Sequence, residues 1–139
     1  MTSDEIAFWS MIGSWVSGIA TFLATAVAAT ALTSWRQQER AKRRKELKVS
    51  FIRHAYALSD NQLIKDSDNY HDRVLVLTRS LGNCVEKLIL CEDKEFLRKH
   101  INKRFTELQT IHEEYLKTGK GLDKVHGIVN KLATLNYDL

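Results

Sequence analysis

Residues 6–35 read IAFWSMIGSWVSGIATFLATAVAATALTSW, thirty positions without one Asp, Glu, Lys or Arg. A bilayer core about 30 Å thick is crossed by roughly 20 helical residues, so the stretch is long enough to span it. Ile12, Val16, Ile19, Phe22, Leu23, Val27 and Leu32 stand in it among many Ala, Ser and Thr. Trp9 and Trp15 lie toward one end and Trp35 closes the other. Indole rings favour the headgroup boundary, and Trp15 to Trp35 covers about 30 Å at 1.5 Å per residue. The pattern predicts a transmembrane helix.

The flanks orient it. Residues 1–35 carry only Asp4 and Glu5, for −2. Residues 36–48, RQQERAKRRKELK, carry Arg36, Arg40, Lys42, Arg43, Arg44, Lys45 and Lys48 against Glu39 and Glu46, for +5. Residues 49–139 add only +1 to the total of +4. Positive flanks stay in the cytoplasm, which places the amino terminus outside and everything after Arg36 inside. Ala24-Thr25-Ala26 resembles a signal-peptidase site, but no basic n-region precedes the apolar run, so a retained span is expected.

Small residues recur every fourth position at Gly13, Ser17, Thr21, Thr25, Ala29 and Thr33, and Ser10, Ser14 and Gly18 widen the ladder at its outer end. Such ladders let helix backbones approach closely, which implies self-association. In a ring of helices the same residues would instead line a weakly polar pore. The basic collar has three readings: a topology anchor that contacts anionic lipid, a nucleic-acid contact, or a ring of cations at a pore mouth. The first is preferred. Stacking on nucleic acid would want interleaved aromatic residues, and 36–48 has none.

Proline is absent, and no glycine falls between Gly18 and Gly82. The helix is therefore expected to continue through the basic segment, with Leu47, Phe51, Ile52, Ala55 and Leu58 as an apolar stripe, and to end near Ser59-Asp60-Asn61. Asp66-Ser67-Asp68-Asn69 offers N-cap side chains. Tyr70, Val74, Leu77, Leu81, Cys84, Leu88 and Cys91 then alternate steps of four and three, a heptad seam. Asp93 is placed to cap a helix with Leu97, Ile101, Phe105, Leu108, His112 and Tyr115 on one face. Thr118-Gly119-Lys120-Gly121 breaks the chain. A last helix carries Leu122, Val125, Ile128, Val129, Leu132 and Leu135. The expected fold is all-α: a tail and transmembrane helix over 1–35, a basic juxtamembrane helix over 36–59, and a small cytoplasmic helical bundle over 60–139.

The chain shows no site for chemistry, and an enzyme is not expected. Two cysteines in 139 residues exclude a disulfide scaffold. Cys84 and Cys91 read as core thiols in a reducing compartment. No metal is expected, because no Cys or His pair has finger spacing. His112-Glu113-Glu114-Tyr115-Leu116 begins like a zincin helix but places Leu116 where the second ligand must stand. His112 reads as a hydrogen-bonded structural histidine. No Gly-rich phosphate loop or nucleophile elbow occurs, so neither a cofactor nor a small-molecule substrate is implied.

The layout of outward amino terminus, a span of the SWVSGIATFLAT kind at 14–25, basic collar and helical domain resembles the small single-span membrane effectors of bacterial phage-defence systems. It is similar to the membrane accessory proteins of type VI CRISPR systems, which pair a pore with HEPN-like cytoplasmic domains. The Arg-to-His pair of HEPN ribonucleases is missing: seven residues separate Arg104 from His112, the nearest candidate. No catalytic residue carries over. The resemblance implies a homo-oligomeric pore in a bacterial inner membrane, controlled by the cytoplasmic domain, with a protein or RNA–protein partner. The alternative is a non-conducting, membrane-anchored adaptor that recruits a cytoplasmic partner.

Overall fold

The computed structural model describes residues 3–65 and 67–137. Asp66, one of the expected cap residues, lies outside them. The described residues are helical and contain no strand. Helix α1 runs over Ser3–Asp60 and α2 over Tyr70–Leu90. A short α3 (Lys94–Phe96), a π turn (Leu97–Ile101) and α4 (Asn102–Thr118) come next without a break, and α5 spans Leu122–Ala133. The chain divides into two compact units, residues 1–39 and 40–139.

In the first unit α1 is apolar over most of its length, and its candidate spanning window buries nothing against the rest of the chain. It is long and apolar enough to cross a membrane.

In the second unit residues 40–60 of α1 run antiparallel to α2. Four polar contacts fix the register. Arg43 Nη1 donates to the Leu90 carbonyl at 2.9 Å, and Lys87 Nζ meets Glu46 Oε2 at 3.4 Å. Cys84 Sγ donates to the Ser50 carbonyl at 3.4 Å, and His54 Nδ1 lies 3.0 Å from Ser80 Oγ. Between these contacts Leu47, Phe51, Leu58, Leu77 and Cys84 are buried in one core with Ile101, Phe105, Leu108, Tyr115, Val125, Val129 and Leu132. Each such side chain taken from water contributes about 1.5–3 kcal/mol.

The termini obey local chemistry. Asp93 caps α3 by accepting from the Phe96 N–H at 3.0 Å, in keeping with its position. Gly119 ends α4 at φ 68°, and its N–H donates to the Tyr115 carbonyl at 2.8 Å. That left-handed conformation favours glycine, which has no Cβ to clash. Gly121, at φ 90°, completes the turn into α5. The first turn of α2 differs from expectation. Asn69 occupies the cap position, but its side chain makes no capping bond. Side chains of α2 tie this end down instead: Tyr70 Oη donates to the Leu116 carbonyl and Arg73 Nη1 to the Gln62 carbonyl, both at 2.6 Å.

Two further expectations are corrected. The heptad seam is graded rather than uniform: Leu77, Cys84 and Cys91 are buried, while Tyr70, Val74, Leu81 and Leu88 are half-buried. α2 is covered on one side only, so positions at the edge of its seam keep a share of solvent. α5 stops at Ala133, so Leu135 packs on the core from beyond the helix.

Candidate functional site

Three features could carry function: the small-residue ladder, the basic segment and a histidine pair in the core. Gly13, Ser17, Thr21, Thr25, Ala29 and Thr33 all lie on α1 with their side chains exposed. A step of four residues turns an α-helix about 40° past a full revolution. The ladder is thus a winding ridge, and Ala29 stands about 160° around the helix from Gly13. Ridges of this kind mesh when two helices cross at an angle. Gly18, one step off the ridge, leaves a shallow groove walled by Ser14, Trp15, Ile19 and Phe22.

The ladder threonines are bonded within their own helix. Thr21 Oγ1 donates to the Ser17 carbonyl and Thr25 Oγ1 to the Thr21 carbonyl, each at 2.9 Å. Thr30 and Thr33 donate to the carbonyls of Val27 and Thr30 at 2.8 Å. A threonine bonded in this way hides its proton and presents a methyl group beside an acceptor oxygen.

The basic segment divides its work. Arg36, Arg40, Lys42 and Lys45 are exposed, whereas Arg43, Arg44 and Lys48 are half-buried. Arg43 covers the α2 carboxyl end through its bond to the Leu90 carbonyl. Arg44 pairs with Asp93, and its guanidinium carbon stands 4.9 Å from the Phe96 ring centroid. Lys48 Nζ lies 5.8 Å from the centre of the Tyr137 ring, which in turn packs at a tilt against Phe96, with ring centroids 5.5 Å apart. The Phe96 N–H and, beside it, the Arg44 charge hold the Asp93 carboxyl below its ordinary range, against some desolvation. Three of the seven collar cations therefore also fasten α1 to α2, α3 and the carboxyl-terminal segment. Periodicity could not separate them, because the acceptors lie more than forty residues away in sequence.

Sequence spacing finds the third feature only in part. His54 and His112 are both buried, at 0% and 1% exposure, with ring centroids 5.1 Å apart. His112 was expected to be fully hydrogen-bonded, but Nε2 of each ring has no partner. The Ser80 hydroxyl holds His54 through Nδ1 alone. Burial drives the His54 pKa down to about 3, with His112 and His126 adding repulsion. Burial also lowers that of His112, against the pull of Glu113. His54 did leave a signal: Leu47, Phe51, His54 and Leu58 step by four, three and four. Its polarity hid it among the apolar residues of the stripe.

The thiols are free and buried. Desolvation pushes Cys84 up to about 11 and raises Cys91 as well, so both are protonated and poor nucleophiles at neutral pH. Among the described residues no three His, Cys, Asp or Glu side chains group to hold a metal ion. No protein-family model matches the chain, and neither a curated protein nor a solved structure does.

Proposed function

We propose that this is a single-span inner-membrane protein that self-associates through the ladder of α1 and holds the 40–139 unit at the cytoplasmic face. The observation that carries the reading is the uncharged, uncovered stretch of α1 over residues 6–35. Thirty apolar or weakly polar residues exposed to water would be costly, whereas a bilayer covers them. The −2 and +5 flanks support an outward amino terminus. Thiol labelling of single cysteines tests this orientation. Positions before Trp9 should react from the periplasmic side, and positions after Lys48 only once the cell is opened. Labelling of the carboxyl-terminal unit in intact cells would reverse the assignment.

Such an anchor could serve two roles. One is a pore-forming effector in phage defence, controlled by the cytoplasmic unit. The other is a non-conducting adaptor that recruits a cytoplasmic protein or RNA–protein partner. The hydroxyl bonding favours the adaptor. Protons returned to the helix's own carbonyls are not offered to water in a lumen, and a winding ridge suits crossed helices better than parallel staves.

Detergent-particle mass and dye leakage distinguish these cases. Ser17→Leu and Thr21→Leu should weaken self-association roughly tenfold, because a bulky side chain keeps the backbones apart and the contact is worth about 1–2 kcal/mol. Thr21→Val should leave the particle intact, since valine keeps the shape and the lost proton served only its own helix. Unchanged mass in both leucine variants removes the interface. An oligomer that leaks, and whose ion preference changes with Thr21→Lys, is a pore. One that never leaks is an adaptor.

A further inference from the structure

The α2 helix ends in two side chains that its core contacts do not explain. Ile89 is 76% exposed and Leu90 43% exposed. The seam runs through Cys84, Leu88 and Cys91, so neither is needed to fill the core. Their position ties them to the basic segment, because the Leu90 carbonyl accepts from Arg43 at 2.9 Å. Ile89 and Leu90 thus stand at the end of the 40–139 unit where the chain enters from the span.

We propose that this end is a lipid-docking face: Ile89 and Leu90 dip into the headgroup layer of an anionic bilayer while the exposed cations of residues 40–45 engage its phosphates. The inference rests on the membrane reading above. Residues 40–48 carry six basic side chains against Glu46 alone, and Arg40, Lys42 and Lys45 are exposed. Residues 86–99, which close this end, hold four acidic and four basic side chains and do not offset that charge. Apolar side chains at the same end as a basic segment match an interfacial layer, which offers acyl chains beneath a negative surface. Reach is no obstacle. Arg43 lies eight residues past Trp35, so even a fully extended chain keeps it within about 29 Å of the indole boundary. The helical unit would then have a second, weaker attachment to the membrane besides the span.

The full chain carrying Ile89→Cys, labelled with bimane and reconstituted in vesicles, tests the proposal. Cys84 and Cys91 are buried, and unsubstituted protein measures any background labelling. In phosphatidylglycerol vesicles the emission should shift to shorter wavelength and be quenched by brominated acyl chains. Both effects should be absent in phosphatidylcholine. Lys42→Ala and Lys45→Ala should each weaken docking roughly fivefold, the contribution of one cation near an anionic surface. Equal emission in the two lipids overturns the proposal. So does a shift that tracks protein density rather than lipid charge, which would mean that a second copy covers the patch. Flotation after alkaline carbonate washing separates these failures from failure of the parent reading: protein stripped from the vesicles has no span, and both conclusions fall.

Discussion

At pH 5 the 40–139 unit is expected to unfold at a clearly lower urea concentration than at pH 7.5. The folded core holds His54 neutral, with a pKa near 3, whereas the unfolded chain lets it titrate near its ordinary 6.5. The unfolded state therefore binds more protons throughout that window. This contribution to stability is complete above pH 6.5 and declines as pH falls toward 3. The loss is about 1.4 kcal/mol per pH unit, or about 2 kcal/mol at pH 5. His112, lowered by the same burial, adds in the same direction. Near-ultraviolet circular dichroism of the buried Tyr115 and Tyr137, in detergent-solubilised full chain, reports the transition. His54→Gln should flatten the dependence by about one proton. Identical midpoints at the two pH values would contradict a neutral, buried pair.

The second large effect is expected for Leu77→Asp. Leu77 is fully buried on α2 as a member of the apolar core. A carboxylate there must either stay charged without a partner or take up a proton, and in both forms the packing of leucine is lost. A cost above about 4 kcal/mol is a large part of the 5–15 kcal/mol that holds an ordinary domain together. The unit should lose its tyrosine signal and become sensitive to protease while the amino-terminal helix stays in the detergent. Leu81→Asp, on the same seam, should be milder, because half-exposed Leu81 lets the carboxylate turn to water. Equal damage from both would mean that the whole seam is buried.

That contrast shows what periodicity conveys. The uncharged run, the end of α1 at Asp60, the Asp93 cap and the Gly119–Gly121 turn each express short-range chemistry, and all were legible. Spacing tells which way a residue points but not how much lies above it, so the seam looked uniform when it is not. Cationic side chains are equally opaque. Arg43 and Arg44 belong to the same run as Lys42 and Lys45, yet their acceptors come from α2 and the α2–α3 junction. The histidine pair depends on α1 and α4 meeting, which no local window contains. As for the candidate site, the ladder and collar were visible as residue types, while the hydroxyl bonding that bears on their use required the backbone.

The π turn at Leu97–Ile101 has a consequence for how this chain can change length. Phe96 and Ile101 are both buried although five residues apart, a step that in an α-helix would leave them about 140° out of line. The wider turn, closed by the Asn102 N–H on the Leu97 carbonyl, absorbs the surplus residue. Losing Arg98 or Lys99, both exposed, would set Phe96 and Ile101 four apart and restore a regular helix with the same inward face. A deletion after Phe105 has no such slack: it rotates the remainder of α4 by about 100°, carrying His112 and Tyr115 away from the core. Tolerance to single-residue insertions and deletions in this helix is thereby concentrated in one turn.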